Sequence, residues 1–233
     1  MIVEICANSF ESAKAAQEGG ADRIELCTDL SVGGLTPPHN VIDTVTSELD
    51  IPVHVLIRPR SGNFTYSGAE LDTMLEDIAY CKDLGCAGIV SGILTPENDI
   101  DIGATRRLLA ASEGMEFTFH RGFDLCRQPQ HQLASLIELG VTRLLSSGQQ
   151  PLAIDGIALL KELITVSAGK IEIMPGSGIN PKNALAFKTA GFKSIHASAI
   201  KKPKNIAAKS FFESRHEGIS DIQTILELVK IVS

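Results

Sequence analysis

The sequence has no tryptophan, two tyrosines and nine phenylalanines among its 233 residues. So few aromatic rings provide no stacking platform for single-stranded nucleic acid. Basic residues do not predominate either, because 21 Lys and Arg stand against 28 Asp and Glu, for a formal net charge of −7. A footprint on phosphates needs a basic patch. The composition therefore argues against nucleic acid as the main partner.

Long apolar runs are also missing. No run approaches the roughly 18 to 20 residues that a bilayer span needs. The residues after Met1 carry neither a basic region nor a small-residue cleavage motif. We therefore expect no membrane partner and a cytoplasmic location. The hydrophobic share of 44% and the charged share of 21% are ordinary for a globular protein.

Cysteine is present but is not arranged for disulfides or zinc. The count of five is odd, and no two cysteines form a C-x-x-C spacing. A disulfide framework or a zinc ribbon is therefore not expected, and reduced thiols in a cytosol fit better. The five are Cys6, Cys27, Cys81, Cys86 and Cys126.

A short apolar run, a polar or glycine-rich turn and an amphipathic stretch recur along the chain. This alternation predicts parallel strands joined by right-handed crossovers. Eight such units in one chain predict an α/β fold, a single-domain (β/α)8 TIM barrel over residues 1–233, with an irregular segment at about 201–218 before the last helix. The predicted strands are Ile2–Cys6, Arg23–Cys27, Val53–Arg58, Gly88–Ser91, Phe117–His120, Arg143–Ser146, Ile171–Met174 and Ser194–Ala197.

The alternative fold is a doubly wound open sheet. That fold usually begins with a G-x-G-x-x-G turn after its first strand, whereas this chain has Ala7-Asn8-Ser9 there. The barrel is therefore favoured. Apolar residues at helical spacing predict helices between the strands, and Asn180-Pro181 is expected to open the helix that ends before Gly191.

Side chains alternate across each strand, so the polar face of each predicted strand points into the barrel. A barrel interior is ordinarily filled by Val, Ile and Leu, and a polar interior therefore indicates a site. The alternative is a self-neutralising structural network, because buried charges must be paired. The inward residues on this reading are Glu4, Cys6, Glu25, Cys27, His54, Arg58, His120 and His196.

Two of these inward residues are cysteines. Cys6 and Cys27 end neighbouring strands, which run roughly 5 Å apart in a sheet, and soft thiolates select Cu(I). Cys126 follows the fifth strand near the same mouth and is a candidate third thiol. The alternative is that these residues are small buried hydrophobes.

A glycine-rich turn follows the seventh strand. Gly176, Ser177 and Gly178, together with Ser198 after the eighth strand, occupy the usual phosphate position of a TIM barrel. They are therefore a candidate substrate or anion site. The alternative is a tight turn without a ligand.

Three further residues suit acid–base chemistry on a small anion. Arg58 ends the third strand, where a guanidinium can grip a carboxylate or phosphate. His120 ends the fifth strand and can exchange protons near neutral pH, with Glu25 as its partner. This alternative function is an enzyme of unknown reaction acting on a small phosphorylated or carboxylated molecule. A binding module without turnover is a third hypothesis.

Several motifs together resemble the CutC family of copper homeostasis proteins, in order from residue 1 to about 200. The departures from the family pattern are Ser177, where glycine or a small apolar residue is common, and the basic segment beyond Ala199, which does not align. The motifs are Glu4-Ile5-Cys6, Ala21-Asp22-Arg23-Ile24-Glu25-Leu26-Cys27, Gly33-Gly34-Leu35-Thr36-Pro37, Ile57-Arg58-Pro59-Arg60, Thr118-Phe119-His120-Arg121-Gly122-Phe123-Asp124 and Ser147-Gly148.

The resemblance implies a cytoplasmic TIM barrel that forms homo-oligomers and takes part in copper homeostasis. It further implies that Cu(I) associates with cysteines. Cys6 and Cys27 match the positions proposed as ligands in the family, and Cys126 matches another recurrent family cysteine. The expected partner is thus a copper ion or a small anionic molecule, and no organic cofactor is predicted.

Overall fold

A computed structural model describes residues 1–200 and 218–233. Eight parallel strands form one sheet in the order β7-β6-β5-β4-β3-β2-β1-β8. The predicted (β/α)8 barrel is confirmed, and each predicted strand is found within two residues of its expected ends. The strands are β1 (Ile2–Ala7), β2 (Arg23–Leu26), β3 (Val53–Leu56), β4 (Gly88–Ser91), β5 (Glu116–Phe119), β6 (Arg143–Ser146), β7 (Glu172–Pro175) and β8 (Ser194–Ala197).

The barrel closes unevenly. β1 pairs with β8 over four residue pairs, whereas a single parallel bridge between Gly176 and His196 joins β7 to β8. The circuit is therefore nearly complete, with its weakest joint beside the predicted anion loop. Most of the predicted irregular segment, 201–218, lies outside the described residues.

Helices cover the outside of the barrel, and two short 3₁₀ helices lie at its mouth. Local signals explain several of their ends: Ser67 and Glu70 form a reciprocal capping box at the start of the helix Gly68–Asp83, and Gly140 ends the helix Pro129–Leu139 in a left-handed conformation. The helices are α1 (Phe10–Glu18), α2 (His39–Glu48), α3 (Gly68–Asp83), α4 (Ile102–Ala111), α5 (Pro129–Leu139), α6 (Ile157–Ser167), α7 (Ala184–Thr189) and α8 (Ile222–Val232), and the 3₁₀ helices are Leu30–Val32 and Arg121–Leu125.

The start of α7 differs from the prediction. The helix begins at Ala184, not at Asn180-Pro181. The Asn180 side chain accepts a hydrogen bond from the Lys182 amide at 3.0 Å, and the Asn183 side chain accepts one from the Asn180 amide at 2.9 Å. These side-chain bonds stabilise a turn in place of the first helical turn.

The main apolar core lies between the barrel and the helices. Ile5, Ile24, Val55 and Phe117 point outward from their strands and are fully or almost fully buried. Each such side chain contributes about 1.5 to 3 kcal/mol when it leaves water. The strand residues between them therefore face inward, as the alternation predicted. Among the described residues, no helix has the length and apolar character that a bilayer crossing requires.

The lower part of the barrel interior is filled by paired charges. Arg23 Nε lies 2.6 Å from Glu4 Oε2. Arg143 donates to Glu116 at 2.7 Å and to the Thr118 hydroxyl at 2.9 Å. The Arg23–Glu4 pair belongs to the self-neutralising network that was the alternative interpretation, and together with Arg143 and Glu116 it forms an ionic floor beneath the mouth.

Candidate functional site

A cavity of about 610 Å³ opens at the carboxyl ends of the strands. Active sites of TIM barrels lie at this end. Gly176 and Cys126 are the two predicted site residues that do not line it. The predicted residues that do line it are Cys6, Glu25, Cys27, Arg58, His120, Ser177, Gly178 and Ser198.

The two predicted metal-binding cysteines meet at one wall of the cavity. Cys6 Sγ lies 3.5 Å from Cys27 Sγ, because β1 and β2 are neighbours and the Cys27 amide continues their ladder to the Ala7 carbonyl. The hydrogen bond with Cys27, together with burial, raises the pKa of the Cys6 thiol well above its usual value. The Cys6 thiol of this Cys6–Cys27 dithiol is therefore protonated at neutral pH.

The loop after β2 packs against this dithiol. Gly34 has a φ of 88°, and a Cβ there would lie 2.8 Å from Leu56 and 3.7 Å from Cys27 Sγ. Glycine is thus required both by the backbone conformation and by the close approach.

His196 is a site residue that the sequence analysis placed in the interior but did not assign. Its Nδ1 lies 2.8 Å from Glu4 Oε1 and its Nε2 lies 3.3 Å from Glu25 Oε2. Burial alone would lower the pKa of His196, but Glu25, Cys6 and Glu4 beside it raise the pKa well above its usual value. The signal was available in the alternation of β8, which pairs His196 with Glu4 across the β1–β8 ladder.

Two carboxyl groups beside His196 behave differently. Burial raises the pKa of Glu25 to about 7, with the Glu4 charge adding to the rise and His196 opposing it. Burial also acts to raise the pKa of Glu4, but His196, Arg23 and His54 together hold that pKa well below its usual range. Glu4 is therefore a fixed anion.

Three different donor types converge at this wall. Ligand atoms of Cys6, Glu25 and His196 all lie within 4.8 Å of one another. Cys27 adds a second sulfur beside Cys6. Thiolate, imidazole and carboxylate are the groups that proteins use to bind transition metals.

The opposite wall carries His120, which is 5% exposed. Its Nδ1 accepts a hydrogen bond from the Gly122 amide at 3.1 Å, so the neutral ring carries its proton on Nε2. The ring centroid lies 4.6 Å from that of Phe64. Burial, reinforced by the Arg58 charge, lowers the pKa of His120 to about 4. At neutral pH this residue is therefore a neutral hydrogen-bond donor, and its role in proton exchange stays a prediction.

Arg58 is buried and is held by the loops around it. Its Nη1 donates to the Val32 and Gly34 carbonyls at 2.9 and 2.8 Å, and its Nη2 donates to the Gly62 carbonyl at 3.1 Å. Its guanidinium carbon lies 4.9 Å from the centre of the Phe64 ring. Arg58 thus fixes the loops after β2 and β3, in addition to lining the cavity.

The predicted anion loop is partly occupied by internal bonds. The Gly176 amide donates to the Ser146 carbonyl at 3.0 Å, and the Ser177 hydroxyl donates to the Pro151 carbonyl at 2.7 Å. Ser177 has a φ of 91°, which a residue with a side chain rarely adopts. Gly178 and the exposed Ser198 face the cavity. Anion binding here stays a prediction.

The third predicted thiol lies elsewhere. Cys126 is buried in the main core rather than in the cavity wall with Cys6 and Cys27. Burial raises the pKa of the Cys126 thiol to about 12, with Asp99 and Asp124 adding to the rise. The structure does not bring Cys126 together with the other two cysteines.

Fold and site together define a (β/α)8 barrel protein with a thiol-bearing polar pocket at its mouth. The chain belongs to the CutC family, because the sequence model of that family matches residues 1–201. A protein named as a family protein CutC from Histophilus somni (strain 2336) is 45% identical over 223 residues, which cover 95% of this chain and 88% of the relative. A protein of the same name from Pasteurella multocida (strain Pm70) is 46% identical over 199 residues, covering 85% and 82%.

Comparison with solved structures supports the same family and the same fold. A crystal structure of CutC from Streptococcus agalactiae, a protein that its name assigns to copper homeostasis, is 35% identical with a TM-score of 0.81 and covers 85% of this chain and 98% of its own. Thiamine phosphate pyrophosphorylase from Pyrococcus furiosus has a TM-score of 0.63 at 17% identity, covering 99% and 95%. The second likeness shows the shared barrel fold only.

Proposed function

We propose that this protein acts in copper homeostasis by binding Cu(I) through Cys6 and Cys27 at the barrel mouth. The observation that carries the proposal is the 3.5 Å separation of the two sulfur atoms in the wall of a cavity. The family membership and the copper-related name of the Streptococcus agalactiae relative support it.

The donor chemistry fits copper. Cu(I) prefers soft thiolate ligands, and two thiols are the softest groups at this wall. His196 would supply a third ligand through Nε2 once copper displaces the proton from that nitrogen, since its Nδ1 contacts Glu4. A metal-binding histidine almost always has its second nitrogen bonded to a carboxylate or carbonyl, which orients the ring. Glu25 is a hard oxygen donor that contacts the same Nε2 at 3.3 Å, so it would give up this contact when Nε2 binds copper and is not itself a copper ligand in this proposal.

We also propose that the protein works as a cytoplasmic homo-oligomer. All five cysteines are unpaired, which suits a compartment that keeps thiols reduced. The oligomer follows from the family resemblance alone. Light scattering after size exclusion would test it, and a mass of one chain, 24.9 kDa, would contradict it.

An anaerobic Cu(I) competition titration tests the metal site. Wild type should bind one Cu(I) tightly. Cys6→Ser/Cys27→Ser should lose at least about 100-fold in affinity, because it removes both of the soft thiolate ligands that Cu(I) prefers. The matched control is Cys81→Ser/Cys86→Ser, a second buried pair outside the cavity, which should bind as wild type does.

Two results would contradict the assignment. Equal losses in both double variants would show a general effect on folding, and unchanged binding in the Cys6/Cys27 variant would place the metal elsewhere. A Cys126→Ser arm decides the third-thiol prediction; since Cys126 lies in the main core, we expect its affinity to equal that of wild type.

A further inference from the structure

Two polar residues in the cavity wall play no part in the proposed copper site. Arg58 and His120 both line the cavity, and both are at least nine-tenths buried. Arg58 and His120 follow the ends of β3 and β5, whereas Cys6 lies in β1 and Cys27 directly follows β2. The Phe64 ring contacts both of them, with 4.9 Å to the Arg58 guanidinium and 4.6 Å to the His120 ring. They therefore mark one corner of the cavity.

The first group without a matching partner among the described residues is the positive charge of Arg58. The Arg58 guanidinium is bonded to three backbone carbonyls, and no carboxylate of residues 1–200 or 218–233 forms an ion pair with it. Its Nε also lacks an acceptor among those residues. Arg121, the other arginine lining the cavity, already pairs with Asp124 at 2.9 Å. Buried charges are normally paired, so this corner holds one uncompensated positive charge.

The second group without a partner among the residues that the structure describes is the hydrogen-bond donor Nε2 of His120. Because the Gly122 amide donates to Nδ1 of His120, the proton of the neutral ring is on Nε2. This Nε2 is buried and has no partner within the described part of the chain. A buried donor without an acceptor is energetically unfavourable. A ligand that brings an oxygen acceptor would remove this cost.

We propose that this corner binds a small organic carboxylate, with Arg58 facing its charge and His120 Nε2 donating to an oxygen. The charge count favours a carboxylate over a phosphate, because one free positive charge matches one negative charge. The cavity volume of about 610 Å³ suits a small organic molecule and far exceeds the needs of a metal ion. Leu145 and Ile179 add apolar lining for a carbon skeleton.

Calorimetric titration of the metal-free protein with acetate, lactate, pyruvate and succinate tests the proposal. Inorganic phosphate and lactamide, the neutral counterpart of lactate, serve as ligand controls. At least one carboxylate should bind one-to-one, and Arg58→Met should weaken it at least about ten-fold, as expected for loss of a charged hydrogen bond. Arg107→Met removes an exposed arginine on α4, paired with Asp72, and should bind as wild type does.

Replacing Arg58 also removes its three hydrogen bonds to loop carbonyls, so Arg58→Met could weaken binding by disturbing the loops. A second measurement therefore keeps Arg58 in place. In wild type labelled with ¹⁵N-histidine, the Nε2 resonance of His120, assigned by its loss in His120→Gln, should shift on saturation with the bound carboxylate and stay unchanged with lactamide. The Cys6→Ser/Cys27→Ser variant should bind the carboxylate normally, which separates this site from the copper site.

Four outcomes would overturn the proposal. One is that no carboxylate binds wild type with a Kd below about 10 mM. Others are that phosphate binds in place of every carboxylate, or that Arg58→Met and Arg107→Met weaken binding equally. The last is an Nε2 resonance of His120 that does not move in the saturated complex.

Discussion

The two histidines of the cavity show how position decides the chemistry of a residue type. His196 lies between two carboxyl groups, and its pKa is raised well above the usual value. His120 lies between phenylalanine rings beside a guanidinium, and its pKa falls to about 4. One imidazole is a cation at neutral pH and the other is a neutral donor. The sequence placed both inside the barrel, but strand alternation carries no information on which neighbours each would meet.

The lowered pKa of His120 predicts a pH dependence of stability. Between its usual value of 6.5 and about 4, the unfolded chain binds a proton that the folded chain does not. The contribution of His120 to the free energy of unfolding is therefore full above pH 6.5. It falls as the pH drops below this value, by up to roughly 3 kcal/mol. The stability advantage of wild type over His120→Gln should shrink from pH 7 to pH 4 in urea denaturation experiments.

His54 shifts in the same direction, so comparison with the single variant is needed to isolate His120. His131→Gln, which removes an exposed histidine, controls for the loss of an imidazole. A difference between wild type and His120→Gln that stays constant across the window would contradict the prediction.

At the scale of elements, the strands were predictable and the loops were not. Eight strands and their inward faces follow from period-two alternation. The loop contacts do not follow from any period: Asp124 accepts from Ser146 Oγ at 2.6 Å, from Ser147 Oγ at 2.9 Å and from Arg121 Nε at 2.9 Å. Asp124 is therefore the link between the turn after β5 and the end of β6. Its motif was noticed, but two of its three partners, Ser146 and Ser147, are distant in sequence.

The contacts of Asp124 predict that a single substitution there lowers the stability of the fold substantially. Asp124→Asn replaces an acceptor oxygen with a donor that faces other donors, and should destabilise the fold by roughly 2 to 4 kcal/mol in urea denaturation. The exposed pair of Asp72 with Arg107 provides the control, since Asp72→Asn should cost less than about 1 kcal/mol. Similar losses in both variants would show that the Asp124 contacts contribute little.

At the scale of the whole molecule, topology was predictable and closure was not. Counting strand–helix units gave the barrel, because eight parallel strands with outer helices have few other arrangements. The strength of each seam depends on register, which the sequence does not reveal. β6 pairs with β7 over four residue pairs, while one bridge joins β7 to β8. The predicted helix start before α7 failed in the same region.

The uneven closure predicts where the barrel opens first. Regions with few backbone pairs open at lower free energy, so the seam between β7 and β8 should open before that between β1 and β2. Hydrogen exchange followed by mass spectrometry should show faster exchange in peptides that contain Glu172–Gly176 than in peptides that contain Ile2–Ala7. Equal protection of both peptides would contradict this expectation.

The ionic floor of the barrel has a consequence for the timing of exchange. The interior beneath the cavity is filled by Glu4, Arg23 and Arg143. A copper ion that reaches or leaves the dithiol would therefore pass through the mouth. A molecule held at the corner of Arg58 and His120 would stand on that same route. Residence times at the two places would then be linked even if their affinities were independent, and the slower occupant would set the dwell time of the other.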